Sequence, residues 1–581
     1  MNTTRSILMA FTIVVSQQST IAVNEFSPDL MLKPKVAQGF LLPANQEAGL
    51  AYEKIGDASG LSVVFYRGFK SDTPAPLRIE NATLVEALDQ LSAQTGNFWF
   101  PWNANTVVVA PDNPAVRRSI QPLLTKVIYF DSSFTQNNMN DLVNRLRTNF
   151  QLRGLYQSAD AGALVVHDIP ARIAIAEREV GLVSYAAAPP RKSAAPLYYP
   201  DGHTDFMFTS ENGRIRKLVP ANRAHLQGVL ADSVSMDMNG TAQAVFENLA
   251  AQAGLNVVFD NRLKTLPTVR FRVNRVDLLD ALDLLALQSG TIWQPVSQSA
   301  IFVMEDSEQN RRDMEPQIVK ILYLTNYDTS GALRDRQSSE TRRNGMLNVL
   351  RTAVALRNIY VSAKTNALLV RDTPLRVFVA EKIIADLDEG SVRAPAVTLT
   401  TPTSSFLAQN GWVLGSARDS RNKLDVKLRS NTNIRLNDTP RGAYAMLADM
   451  AGLKISVDSR IAAEPAAPLN LNSVDIMDAL DLLSLQTRHF WQAVDEHTIR
   501  VMPSTTAARQ EFETREMRVF SVAGGTKEEA NELLSVLRTA LELREASVDE
   551  GGQIVVRDTP DMLALVQTAI STLGNPATFL K

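Results

Sequence analysis

Residues 279–293 read LDALDLLALQSGTIW. Leu278, Leu282 and Leu285 recur at i, i+4 and i+7, the stripe of an amphipathic helix, and Gly290 supplies the residue best suited to a left-handed helix end. Thr291, Ile292 and Trp293 then open a strand. The same stretch occurs as VEALDQLSAQTGNFW at 85–99 and as MDALDLLSLQTRHFW at 477–491. Its tryptophans, Trp99, Trp293 and Trp491, fall 194 residues (99 to 293) and 198 residues (293 to 491) apart. Three further landmarks recur in the same order. GLSVVF (60–65) matches GLNVVF (254–259) and GLKISV (452–457). LRTNFQLR (146–153) matches LRTAVALR (350–357) and LRTALELR (537–544). ALVVHDIP (163–170) matches ALLVRDTP (367–374) and QIVVRDTP (553–560). A fixed order of self-similar segments marks internal repetition, and this period is too long for a solenoid unit. The chain is therefore three copies of a unit of domain size.

Copy 2 divides into two halves. In the first, 241–254 reads as a helix and LNVVFD (255–260) as a β-branched strand. TVRFRV (268–273) alternates apolar and polar residues as a half-buried strand does, and the helix over 277–289 leads into a strand pair. In the second half the strand IVKILYL (318–324) precedes a helix near 345–356. A hairpin over 359–372 follows, turning at Lys364-Thr365-Asn366, and then a last helix opening at Thr373 and Pro374. Val377, Ala380, Ile384 and Leu387 face inward on it. The predicted fold class is α+β, with three tandem pairs of small α/β sandwich domains. The boundaries are 36–111 and 123–183 in copy 1, 214–305 and 318–388 in copy 2, and 422–503 and 516–574 in copy 3. Residues 184–205 (Ala/Pro-rich) and 389–410 (Thr/Pro/Ser-rich) read as linkers. Short charged joints, 305–315 and 504–515, separate the halves of copies 2 and 3.

The bulk properties narrow the function. The 581 residues include 45% hydrophobic and 21% charged, with a net charge of −3. That is ordinary globular material without the basic excess of a nucleic-acid binder. There are no cysteines, and the five histidines, His167, His203, His225, His489 and His497, are scattered. No metal site, cofactor site or small-molecule substrate is expected. Phosphate loops, dinucleotide fingerprints, GxSxG and HExxH are absent from the sequence, so it reads as non-enzymatic, with an enzyme of unrecognised type as the remote alternative. Arg5, the apolar run Ile7 to Val15 and Thr20-Ile21-Ala22 predict a secretory signal peptide over 1–22. No other stretch has the roughly 20 apolar residues of a membrane span.

The first half of each copy resembles the short N-terminal domain shared by secretins and some TonB-dependent receptors. GLNVVFD, TVRFRV and LDALDLLALQSGTIW carry this likeness. The second half resembles the KH-like βαββα domain that follows it in secretins, through VKILYL and NALLVRDTP (366–374). The order of the two halves is that of secretins. The resemblance implies a periplasmic or outer-membrane-associated scaffold of a secretion or pilus system. Its partners would be envelope proteins, either a secretin or inner-membrane components, with a homo-oligomer as a further possibility and sheet edges as docking strips. A periplasmic signalling module of a TonB-dependent system is the alternative. The module occurs three times here and no long-stranded pore region is read, so a pore role is not carried over. No GXXG loop accompanies the KH-like halves, and nucleic acid is not an expected partner.

Three sets of side chains stand out. Glu86 and Asp89, Asp280 and Asp283, and Asp478 and Asp481 lie at i, i+3 near the start of one helix. They read as a solvated acidic face that the helix dipole favours, or as an acidic interaction face. Trp99, Trp293 and Trp491 read as core aromatics, and the extra Trp102 as surface. Arg147 with Asp168, Arg351 with Asp372, and Arg538 with Asp558 recur at nearly constant spacing and suggest a structural salt bridge in each copy.

Overall fold

The computed structural model describes residues 32–573 except 184–196, 200–206, most of 219–232, 325–335, 388–397, most of 401–431 and short runs or single positions elsewhere. The fold is α+β, built from small sheets and helices. The expected signal peptide, the Lys364-Thr365-Asn366 turn and most of both linkers lie outside the described residues.

The first half of copy 2, its front module, begins with a strand that sequence reasoning did not anticipate, Val234–Thr241. It pairs antiparallel with Thr268–Val276, from Val234↔Val276 to Thr241↔Thr268. Helix Ala242–Gln252 follows, capped by the Thr241 side chain. Asn256–Phe259 then runs parallel to Ala300–Glu305, which pairs antiparallel with Thr291–Ser297. Helix Leu278–Ser289 lies between, its end turned by Gly290 at φ 72°. Copies 1 and 3 repeat this plan, with sheets closing on Thr106–Pro111 and Thr498–Pro503. Short helices stand at the joints between the halves: Pro114–Ile120 in copy 1, Glu308–Met314 in copy 2 and Thr506–Phe512 in copy 3. Asn113 and Ser307 cap the first two, which supplies acceptors for otherwise unpaired amides.

The second half, the rear module, is strand Ile318–Tyr323, helix Arg336–Ala353, hairpin Asn358–Ser362 with Ala367–Asp372, and helix Pro374–Leu387. Its sheet is longer than the reading allowed. Thr398–Thr400, inside the expected second linker, pairs antiparallel with Ile318–Tyr323. In copy 1, Leu197–Tyr199 pairs in the same way with Leu123–Tyr129. Met207–Glu211 and Arg214–Leu218 then extend that sheet to six strands, so residues 214–218 sit with rear module 1 and not at the start of front module 2. An exposed strand edge presents unpaired amides and carbonyls, and the returning chain satisfies them.

The copies stack. In copies 1 and 2 the main sheet of each module has its own helices on one face, and the other face is covered by the helices of the next copy. One cluster joins Val64, Phe98, Phe100, Trp102 and Val108 of front module 1 to Leu284, Leu285 and Leu287 of front module 2. A second joins Val258, Ile292, Val296 and Phe302 to front module 3. The rear modules do the same: Ala163 and Val165 join the helices of rear module 2, and Val319, Ile321 and Leu369 join those of rear module 3. Trp102, expected at the surface, is 1% exposed because this interface covers it.

The stacking explains helix Leu278–Ser289, which is apolar almost all round: ten of its twelve residues are buried. Its counterpart in copy 1, Leu84–Thr95, buries one stripe and carries Gln90 where copies 2 and 3 have Leu284 and Leu482. Leu284→Gln should therefore destabilise front modules 1 and 2 by about 2–5 kcal/mol, the combined effect of a lost apolar contact and a buried amide. Gln90→Leu should cost less than about 0.5 kcal/mol, as surface changes do. Urea unfolding of the two variants checks the contrast.

Candidate functional site

The acidic pairs and the tryptophans meet. In every copy the indole Nε1 donates to the second carboxylate of the pair: Trp99 to Asp89 at 2.8 Å, Trp293 to Asp283 at 2.8 Å and Trp491 to Asp481 at 2.7 Å. The link spans ten residues, from the middle of the helix to the third residue of the following strand. Sequence reasoning marked both groups and missed the bond. The signal was available in the constant ten-residue spacing.

Position in the stack sets the environment of this bond. Asp89 is exposed and Trp99 half-buried, whereas Asp283 is 2% and Asp481 1% exposed. The carboxylate is thus buried in copies 2 and 3, where a preceding sheet covers the helix, and exposed in copy 1. Arg223 stabilises the buried carboxylate of copy 2. Its guanidinium donates to Asp283 Oδ1 at 3.1 Å and to the Trp293 carbonyl at 3.1 Å, and lies 4.3 Å from the indole centroid. A buried carboxylate needs such charge-assisted donors. The first members of the pairs act differently. Glu86 completes a capping box with Thr83, and the Thr83 amide and hydroxyl hold its carboxyl below the usual carboxylate range. Asp280 accepts from Asn103 Nδ2 of front module 1 at 2.9 Å. Asp478 lies in the first turn of its helix.

Polar contacts tie each copy to the next at matching positions. Ser62 Oγ accepts from the Asn274 amide at 2.9 Å, and Asn256, its counterpart, bonds both the amide and the carbonyl of Asn472 at 2.7 and 3.1 Å. Asp57 pairs with Arg272 at 2.8 Å and Glu53 with Arg270 at 3.5 Å. Between copies 2 and 3, Asp260 pairs with Arg488. Arg488 holds the left-handed helix end, φ 56°, where the other copies have glycine, a conformation uncommon for a residue with a side chain, and its guanidinium lies across the interface on Asp260. In front module 3, burial lowers His489 to about 4.

The expected Arg–Asp bridges do not form between Arg147 and Asp168, Arg351 and Asp372, or Arg538 and Asp558 among the described residues. Asp168, Asp372 and Asp558 instead accept from the backbone amides of Ile169, Thr373 and Thr559, each at 2.8 Å, where the last helix begins. Asp168 and Asp372 also pair with Arg172 and Arg376, four residues on, at 3.5 and 3.4 Å. Arg147 and Arg538 donate to the carbonyls of Leu155 and Ala546 on the hairpin strand beside their helix, while Arg351 is exposed. A strand-end aspartate lies nearest the positive end of the following helix, and that local partner prevails.

Among the described residues no group of three His, Cys, Asp or Glu could hold a metal ion, and no helix is long and apolar enough to cross a membrane. Two clefts among the described residues are inter-copy grooves. One is lined by Tyr66, Arg67, Asp283, Leu287 and Trp293, another by Asp57, Ser62, Arg272 and Asn274.

No known protein family and no curated protein matches this chain. Two solved structures are similar in part. The structure of XcpQN012 has 17% sequence identity and a TM-score of 0.10, covering 25% of this chain and 65% of that one. The Salmonella SPI-1 type III secretion injectisome basal body proteins InvG, PrgH and PrgK give 10% identity and a TM-score of 0.13, covering 58% of this chain and 45% of that one. The chain thus spans less than two thirds of either, and at these scores neither likeness carries an argument about function.

Arg223→Ala leaves the Asp283 carboxylate buried without its cation and should destabilise the protein by about 3–5 kcal/mol. Adding Asp283→Leu should recover part of that loss. Denaturant titration followed by tryptophan fluorescence measures both.

Proposed function

We propose that this chain is a non-enzymatic scaffold of the bacterial cell envelope, exported to the periplasm and built from secretin-type modules. It acts by docking other proteins of a secretion or pilus system along its length. The observation that carries the reading is the stack itself. The same sheet face meets the same helix face twice in the front row and twice in the rear row. The acidic pairs bond within and between modules: their second carboxylates accept from the indoles of the same module, and Asp280 accepts from Asn103 of front module 1. The order of front and rear halves, with GLNVVFD, LDALDLLALQSGTIW and NALLVRDTP, supports the secretin type. Repeating a module on one chain presents several equivalent sites at once, and linked sites raise effective concentration.

A signalling role beside a TonB-dependent receptor is the second reading. The front modules fit it, but it assigns no task to the rear row. Fractionation of the native cell, followed by in-cell cross-linking and mass spectrometry, separates the two. Envelope localisation with cross-links to a secretin or basal-body protein is the expected result. Cross-links to a receptor barrel would favour the second reading, and a cytoplasmic chain would overturn both.

A further inference from the structure

The two interfaces of the front row share a backbone plan. At each, the residues that follow the parallel strand of one copy meet the end of the second helix of the next. The Arg67 amide donates to the Leu287 carbonyl at 3.4 Å, and the amide of its counterpart Asn261 donates to the Gln486 carbonyl at 3.1 Å. Beyond that helix the chain is alike as well. The Asp306 amide donates to the Gly290 carbonyl at 3.1 Å, and the Ser504 amide to the Arg488 carbonyl at 2.9 Å. Tyr66 and Arg67 of copy 1 thus match Asp260 and Asn261 of copy 2, through the registers Ser62↔Thr106 and Asn256↔Ala300. Gly290 and Asp306 of copy 2 match Arg488 and Ser504 of copy 3.

These positions carry opposite polarity at the two interfaces. Between copies 1 and 2 the cation comes from the sheet side and the carboxylate from the helix side. Arg67 Nη2 lies 4.0 Å from Asp306, which Arg311 of the same copy also holds at 2.7 Å. The Arg67 side chain crosses the bare helix end, where a β-carbon on Gly290 would stand 2.9 Å from its Nη1 and 3.0 Å from its Cδ. Between copies 2 and 3 both roles change sides. Asp260, 2% exposed, lies on the sheet side and receives Arg488 from the helix end. Arg488 Nη2 also donates to Asn310 Oδ1 at 3.0 Å, and Arg262 of copy 2 lies 3.5 Å from Asp260. Tyr66 and Ser504 occupy the positions that are carboxylates at the other interface.

We propose that this inverted polarity fixes which copy stacks on which. Three copies of one shape on one chain offer equivalent faces, and apolar packing by itself does not tell them apart. If the copy 1 sheet met the copy 3 helix, Arg67 and Arg488 would share one helix end, beside Tyr66 and Ser504. If the copy 2 sheet met the copy 2 helix of another chain, Asp260 and Asp306 would face each other across Gly290. Like charges brought together in a partly desolvated contact oppose association, and specificity comes from such penalties as much as from the attractive pair. The matched pairings, copy 1 with copy 2 and copy 2 with copy 3, place one arginine and one carboxylate across each interface. Arg67 with Asp306, and Arg488 with Asp260, are therefore the residues that order the front row, whatever partner the scaffold docks.

Transplanting one polarity onto the other interface tests this in the full chain. Val258 is buried between copies 2 and 3 in a chain without cysteine, so Val258→Cys supplies a single thiol whose labelling rate reads the opening of that interface. Asp260→Tyr with Asn261→Arg gives copy 2 the sheet side of copy 1. Arg488→Gly with Ser504→Asp gives copy 3 the helix side of copy 2. Each half alone sets like charges together and should raise labelling at least about tenfold. All four substitutions together should return it to within about threefold of the reporter chain, because the two halves are coupled. Circular dichroism checks folding. A fourfold variant that fails to fold, or that labels at the product of the two half effects, overturns the proposal, as does a half that labels at the reporter chain's rate. The reverse transplant, Gly290→Arg and Asp306→Ser with Tyr66→Asp and Arg67→Asn, is read at Val64→Cys, buried between copies 1 and 2. It should show the same loss and recovery, and no recovery there overturns the proposal equally.

Discussion

A small sheet with helices on one side leaves its other side apolar, and that uncovered face is the constraint on which this structure depends. A sheet of two or three strands cannot fold its second face away, and exposing it would leave a contiguous apolar patch in water. Here the next copy supplies the cover. Val64 and Phe98 need Leu284 and Leu287, and Val319 and Ile321 need the helices of rear module 3. The copies are thus not independent beads. Each interior module contributes one face to its neighbour and receives another.

Side chains outside the cores follow from this arrangement. The helix that carries the acidic pair must be apolar on two sides in copies 2 and 3, so its remaining carboxylates become buried and acquire fixed donors: the Trp293 and Trp491 indoles, and Arg223 for Asp283. The same carboxylate in copy 1, Asp89, keeps its tryptophan but remains in water. One sequence motif therefore supports two electrostatic situations, decided by place in the row. The Arg488 helix end is a comparable case, where a non-glycine residue occupies a left-handed conformation and forms an ion pair with the preceding copy.

Much of the fold was legible because amphipathic period and turn residues report local structure directly. The helix ending at Gly290, the strand Asn256–Phe259 and the Asp372-Thr373-Pro374 entry to the last helix all follow from such signals. What escaped depends on residues distant in sequence. Leu197–Tyr199 and Thr398–Thr400 lie in Pro- and Thr-rich stretches whose composition suggests a linker, and only an open sheet edge makes them strands. The burial of Asp283 could be inferred only by asking why Gln90 becomes Leu284 and Leu482. The Arg–Asp spacing misled because both residues recur for separate local reasons, one beside a hairpin strand and one at a helix start. Trp102 looked superficial because the surface that covers it belongs to the following copy.

Side-by-side packing of front modules 1 and 2 is the central claim, and the absence of cysteine from the chain makes it directly measurable. Asp57 is exposed, Arg272 is half-buried, and the two pair across that interface at 2.8 Å. With both replaced by cysteine, a short bismaleimide should join them within one chain, at a yield independent of protein dilution and visible as a shifted band under denaturing conditions. No intramolecular product, or a product between chains that disappears on dilution, would contradict the stacked arrangement.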